Sequence, residues 1–135
     1  MSIPKEVSEL FDTLGRDAPV DAAFLIRGTG AILASWVRNP VPQEMVTVMA
    51  ATMMSSVATI VEVFGCPTPQ TVLVNTEDHQ ILARKVNPDQ ILVLVSSKGV
   101  HKRHLYLLAR QLVTRLSSVQ AADRTLSDSP DRWTR

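Results

Sequence analysis

Val7, Leu10, Phe11 and Leu14 recur at helical spacing, and Pro4 ahead of them suits a first helical position. The pattern predicts a helix over 4–14, with Gly15 where a stop belongs. Two apolar runs follow, Ala22 to Arg27 and Ala31 to Val37. Gly28-Thr29-Gly30 joins them into a predicted hairpin, because glycine supplies the positive φ that tight turns need. Arg38-Asn39-Pro40-Val41-Pro42 is a loop, since two prolines so close forbid regular structure.

Residues 43–64 are the most informative stretch. No charge occurs from Met45 to Val61, and the length and the Ala and Met content favour a helix over a strand. At about 100° per residue, Val46, Met49, Ala50, Met53, Met54, Val57, Ile60, Val61 and Phe64 fall on one broad face, the expected core side. The opposite arc holds Thr47, Val48, Ala51, Thr52, Ser55, Ser56, Ala58, Thr59 and Val63, with Glu44 and Glu62 only toward the ends. A surface helix normally carries Lys, Glu and Arg there. Small uncharged residues instead let another backbone approach. Met45 points toward this outer arc and is a contact candidate. The uncharged run falls short of the roughly 20 residues a bilayer needs, so no membrane span is expected.

Gln70 to Asn75, Gln80 to Val86 and Gln90 to Ser96 read as three strands, separated by Thr76-Glu77-Asp78-His79 and Asn87-Pro88-Asp89. The third is apolar at consecutive positions, which predicts a central strand covered on both faces. Residues 98–117 form the last predicted helix, capped by Ser96 or Ser97, with Leu105, Leu108, Ala109, Leu112, Val113 and Leu116 as its packing stripe. One domain is thus expected over 1–117. Residues 118–135 are polar with little periodicity and are expected as a mobile tail, a short helical extension being the variant of that reading.

Composition narrows the function. The chain has 135 residues, 14 Lys and Arg against 13 Asp and Glu, and one cysteine. The near-balance of charge argues against a dedicated nucleic-acid or membrane-surface binder. It is not evenly spread, however. Lys98, Lys102, Arg103, Arg110 and Arg115 occur with no acid among them, a mild hint of an acidic partner. A lone Cys66 excludes a disulfide framework and a multi-cysteine metal site, and points to the reducing cytoplasm.

Candidate chemistry is sparse. Gly28-Thr29-Gly30 lacks the Gly-Lys-Ser/Thr ending of a phosphate loop and leads into a strand, so the chain is not expected to bind or hydrolyse nucleotide alone. His79, His101 and His104 lack metal-ligand spacing with carboxylates or Cys66. No catalytic residue, cofactor or metal is expected. Arg27, Arg38 and Arg84 are the mid-chain arginines able to act as fingers on a partner, with nothing to single one out.

The order of helix, strand, strand, helix, strand, strand, strand, helix implies an α+β domain. Its five-stranded antiparallel sheet has the middle helix on one face and the terminal helices on the other. Three segments carry a resemblance: Arg27-Gly28-Thr29-Gly30-Ala31-Ile32-Leu33-Ala34-Ser35, the small-residue helix Val48 to Ser56, and Ile91 to Val95 before a helix. Over roughly 4–117 the chain resembles the Roadblock/dynein light chain family, described as regulators of Ras-like GTPases. The longin and profilin-like folds share its layers. The Pro-rich loop 38–42 and the long tail depart from the minimal family pattern.

The resemblance implies a homodimer in which two middle helices lie side by side and the following strands pair edge to edge. Carried onto this sequence, the interface is Met45, Val48, Thr52, Ser55, Ser56, Thr59 and Val63 with Thr71, Val72, Leu73 and Val74. The residues agree: the arc has no charge to solvate it, and the strand has no Lys or Pro to blunt an exposed edge. The expected function is a non-catalytic homodimeric platform for a small Ras-like GTPase, or pairing with a related Roadblock protein. The alternatives are a structural adaptor that leaves nucleotide turnover unchanged and, least supported, an enzyme or small-ligand sensor.

Overall fold

Successive residues of a strand point to opposite faces, and both faces of these strands are apolar, so the sheet needs helices on both sides. The computed structural model describes residues 5–14, 18–67 and 69–127. Along them run α1 (Lys5–Asp12), β1 (Ala22–Arg27), β2 (Ile32–Val37), α2 (Gln43–Val63), β3 (Thr71–Asn75), β4 (His79–Asn87), β5 (Gln90–Ser97) and α3 (Lys102–Ser127). The strands form one antiparallel sheet in the order β2-β1-β5-β4-β3, which is the predicted α+β architecture. The expected helix start at Pro4 and stop at Gly15 lie outside the described residues, as do 128–135.

Register fixes the two faces. One row across the sheet is Ser35, Phe24, Val93, Ala83 and Val72. Phe24, Val93 and Ala83 are buried beneath α2 with Ile26, Ile91 and Met54. The next row is Trp36, Ala23, Leu94, Leu82 and Leu73, and it lies under α1 and α3, where Phe11, Leu105 and Leu116 close the second core. Each fully buried Leu or Phe contributes roughly 1.5–3 kcal/mol. β5 is the middle strand, and Leu92, Val93 and Leu94 have no exposed surface, as its continuous apolar run predicts.

The predicted orientation of α2 is wrong by a part turn. Thr47 and Ala51, expected on the outer arc, are buried against the sheet with Ala50 and Met54, and Ala58 is half-buried. Met49, Ile60 and Phe64, expected in the core, are exposed. The cause is close packing. Gly30, at φ +96°, lies directly under α2, and a Cβ there would stand 2.8 Å from Val48 Cα. A helix that near the sheet presents its smallest side chains to it. Thr47 keeps its hydroxyl satisfied by donating to the Glu44 carbonyl at 3.2 Å.

The start of α3 also differs. β5 continues through Ser97, with Ser96 fully buried, so neither serine caps the helix. His101 does: its carbonyl accepts from the Leu105 amide and its Nδ1 accepts from the Arg103 amide at 3.0 Å. At the other end α3 runs past Ser117 to Ser127. Gln120 holds that stretch to the β4–β5 turn by donating to Gln90 Oε1 at 2.6 Å.

Candidate interaction surface

α2 rests chiefly on β1 and β5, which leaves its outer side and the neighbouring β4–β3 end of the sheet without a cover. At 21 residues α2 is longer than its uncharged run and by length and composition could cross a bilayer, and only 22% of its apolar stretch is buried within the chain. Met45 is 65% exposed, and Val63 and Phe64 78% each. Val48, Met49 and Ile60 join them, and Thr52, Ser55, Ser56 and Thr59 are exposed between. All of these lie within one side of the helix.

Two of the four hydroxyls on this side are less polar than they look. Thr52 Oγ1 donates to the Val48 carbonyl at 2.9 Å, and Thr59 Oγ1 donates to the Ser55 carbonyl at 3.1 Å. A hydroxyl whose proton is already committed to its own helix can be covered without losing that bond. The surface therefore behaves as a largely apolar one, and apolar patches of this kind mark contact sites.

Beside it, Met45, Val46, Met49, Ala50, Met53 and Ile81 line an apolar groove of about 290 Å³. Beyond the groove lies β3, the terminal strand, with Thr71, Val72, Leu73 and Val74 half-buried and β4 on one side only. The structure thus places the seven helical residues named from the sequence on one exposed face, and the four strand residues on a free sheet edge. The sequence reading missed Met49, Ile60 and Phe64 on the same face. Thr47, Ala51 and Ala58, small residues four and seven apart, form the sheet-facing stripe, and no charge on either arc marks them as such in the sequence.

Groups named for other chemistry do not converge. Arg38 is engaged within the fold. Its Nη2 donates to the carbonyls of Ala18 at 2.7 Å and Val20 at 2.8 Å, its Nε lies 3.4 Å from Asp21 Oδ1, and its guanidinium covers the Trp36 ring. Arg27 and Arg84 are half-buried on different strands. His101 and His104 are exposed, their rings 6.3 Å apart. Cys66 is an exposed free thiol. Among the described residues no three His, Cys, Asp or Glu side chains gather as metal ligands would.

No protein-family model matches the chain, and no curated protein sequence does. Solved structures do. Myxococcus xanthus MglB superposes with a TM-score of 0.78 at 13% identity, covering 87% of this chain and 97% of its own. The Roadblock/LC7 domain from Streptomyces avermitilis gives 0.75 at 13% identity, covering 90% of this chain and 99% of its own. Profilin IA of Acanthamoeba castellanii shares the layers at 0.58 and 12% identity, with 84% and 98% covered. This chain has the Roadblock/LC7 fold.

Proposed function

We propose that the chain is a non-catalytic homodimeric platform that binds a small Ras-like GTPase and tunes its cycle or location. The observation carrying the dimer is the pairing of an exposed apolar α2 face with an uncharged free edge at β3. A two-fold axis through that corner sets α2 beside its copy and joins β3 to β3, so that one self-complementary surface covers both. The Roadblock resemblance supplies the GTPase as partner. A regulator of this kind acts by ordering the GTPase's own switch loops and needs no inserted arginine, in keeping with the structural engagement of Arg38.

The deciding experiment is a pull-down with GTPases loaded with GTP or with GDP. Retention that depends on the nucleotide supports the regulatory platform. Equal retention of both forms supports the structural adaptor instead.

A further inference from the structure

The chain-wide balance of 14 basic against 13 acidic residues conceals a segregation that the fold turns into separate surfaces. α3 carries Lys102, Arg103, Arg110 and Arg115, all exposed, and no Asp or Glu occurs between Lys98 and Ala122. Among the described residues no carboxylate pairs with any of these four. Tyr106 and Leu107 stand exposed between them, and Leu107 forms part of a shallow hollow flanked by Arg110 and Arg115. Arg103 and Arg110 share one helix face with Tyr106 and Leu107, and Lys102 and Arg115 flank it on either side. Cations so interleaved with an aromatic and an aliphatic side chain make an interfacial surface rather than a simple solvated one.

Position across the sheet matters as much. Acids on the same side of the sheet belong to α1, where Glu6, Glu9 and Asp12 are exposed and Lys5 lies 3.9 Å from Glu9, and to the last turns of α3, where Asp123 follows the basic stretch. α1 packs on β2 and along one side of α3, whereas α3 packs on β4 and β5, next to the β3 end. If β3 joins β3, both α3 helices come to the middle of one continuous face and both α1 helices to its outer ends. The basic set is then doubled around the two-fold axis. That doubling rests on the dimer proposed above; the single-chain face does not.

We propose that the outward face of α3 docks on an anionic phospholipid surface. Lys and Arg gain from the negative surface potential, and Tyr106 and Leu107 enter the headgroup layer. A bilayer is the same in every lateral direction, so both halves of a two-fold face can touch it at once. An asymmetric acidic protein would engage one half. Two linked contacts raise the apparent affinity beyond either alone.

The test is co-sedimentation of the full chain with phosphatidylcholine vesicles, with and without phosphatidylglycerol, at low and at physiological salt. Binding is expected only with phosphatidylglycerol and is weakened by salt. Arg103→Glu with Arg110→Glu should lower the partition by at least about tenfold, with far-UV circular dichroism and melting unchanged. Leu107→Ser keeps every charge and should still lower binding, as insertion into lipid requires. Ser55→Glu, on the other face, is followed in parallel by sedimentation and should reduce avidity only as far as it splits the dimer. A folded dimer that ignores phosphatidylglycerol overturns the proposal and leaves the dimer standing. A monomer whose α3 face still binds these vesicles does the reverse. Unchanged binding by Leu107→Ser, or tighter binding to duplex DNA than to the vesicles, also overturns it.

Discussion

Two residues hold more of the architecture than their size suggests. Gly30 is fixed by its positive φ and by the backbone of α2 above it, 2.8 Å from where a Cβ would sit. Its obstacle is main chain, which cannot rotate away. Gly30→Ala should therefore cost roughly 1–3 kcal/mol of stability, read from the urea midpoint. An unchanged midpoint would show that α2 can lift at no cost. Arg38 ties the chain before β1 to the end of β2 through two carbonyls and one carboxylate. A partly exposed ion pair contributes little, whereas the two hydrogen bonds from the guanidinium to the Ala18 and Val20 carbonyls contribute about 0.5–1.5 kcal/mol each. Arg38→Ala should accordingly destabilise clearly more than Asp21→Asn. Equal losses would assign the effect to the ion pair.

The order of elements is legible because glycines, prolines and Asn-Pro-Asp punctuate it, and because the strands alternate against two apolar faces. The phase of α2 is not legible. From Met45 to Val61 both arcs lack charge, so periodicity gives no preferred side, and the choice is made by Gly30 on another element. The start of α3 is hidden because Ser96 and Ser97 read as caps while Ser96 is buried in the sheet. Its continuation to Ser127 is hidden because the apolar stripe fades after Leu116, although Ala, Gln, Arg and Leu are good helix formers. The corrected phase sharpens a test of the α2 face. Thr52→Lys and Ser55→Glu should split the dimer, since each substitution acts twice across a two-fold axis, bringing like charges together and desolvating them at a cost of several kcal/mol. On a solvated face each would change stability by no more than about 0.5 kcal/mol. Met54 is buried in the core beneath the sheet-facing side of α2, so Met54→Lys is the variant expected to unfold the chain. Dimers of both Thr52→Lys and Ser55→Glu with unchanged melting would remove α2 from the interface.

At the scale of the whole molecule, sedimentation at micromolar concentration should give twice the 14.9 kDa of one chain. A species of monomer mass alone would refute the dimer. Because the Gly28–Gly30 turn leads into β2 and not into a helix, its amides do not converge as a phosphate cradle at a helix N-terminus does. Calorimetric titration with GTP or ATP should accordingly show no saturable binding by the chain alone. Saturable heat would place a nucleotide site where none of the motifs predicts one.

The committed hydroxyls of Thr52 and Thr59 bear on selectivity. With their protons held by the Val48 and Ser55 carbonyls, they offer no donor to a partner, and the face between Glu44 and Glu62 offers no charge. Discrimination between partners usually needs a feature that repels the wrong one. Apart from the Ser55 and Ser56 hydroxyls, this face offers shape: the bulk of Met45 at one end and of Val63 and Phe64 at the other. If the proposed dimer forms through this face, a related domain with small residues at the same positions would fit as well as a second copy, and the choice between self-pairing and mixed pairing would pass from the chemistry of the interface to the relative abundance of the chains.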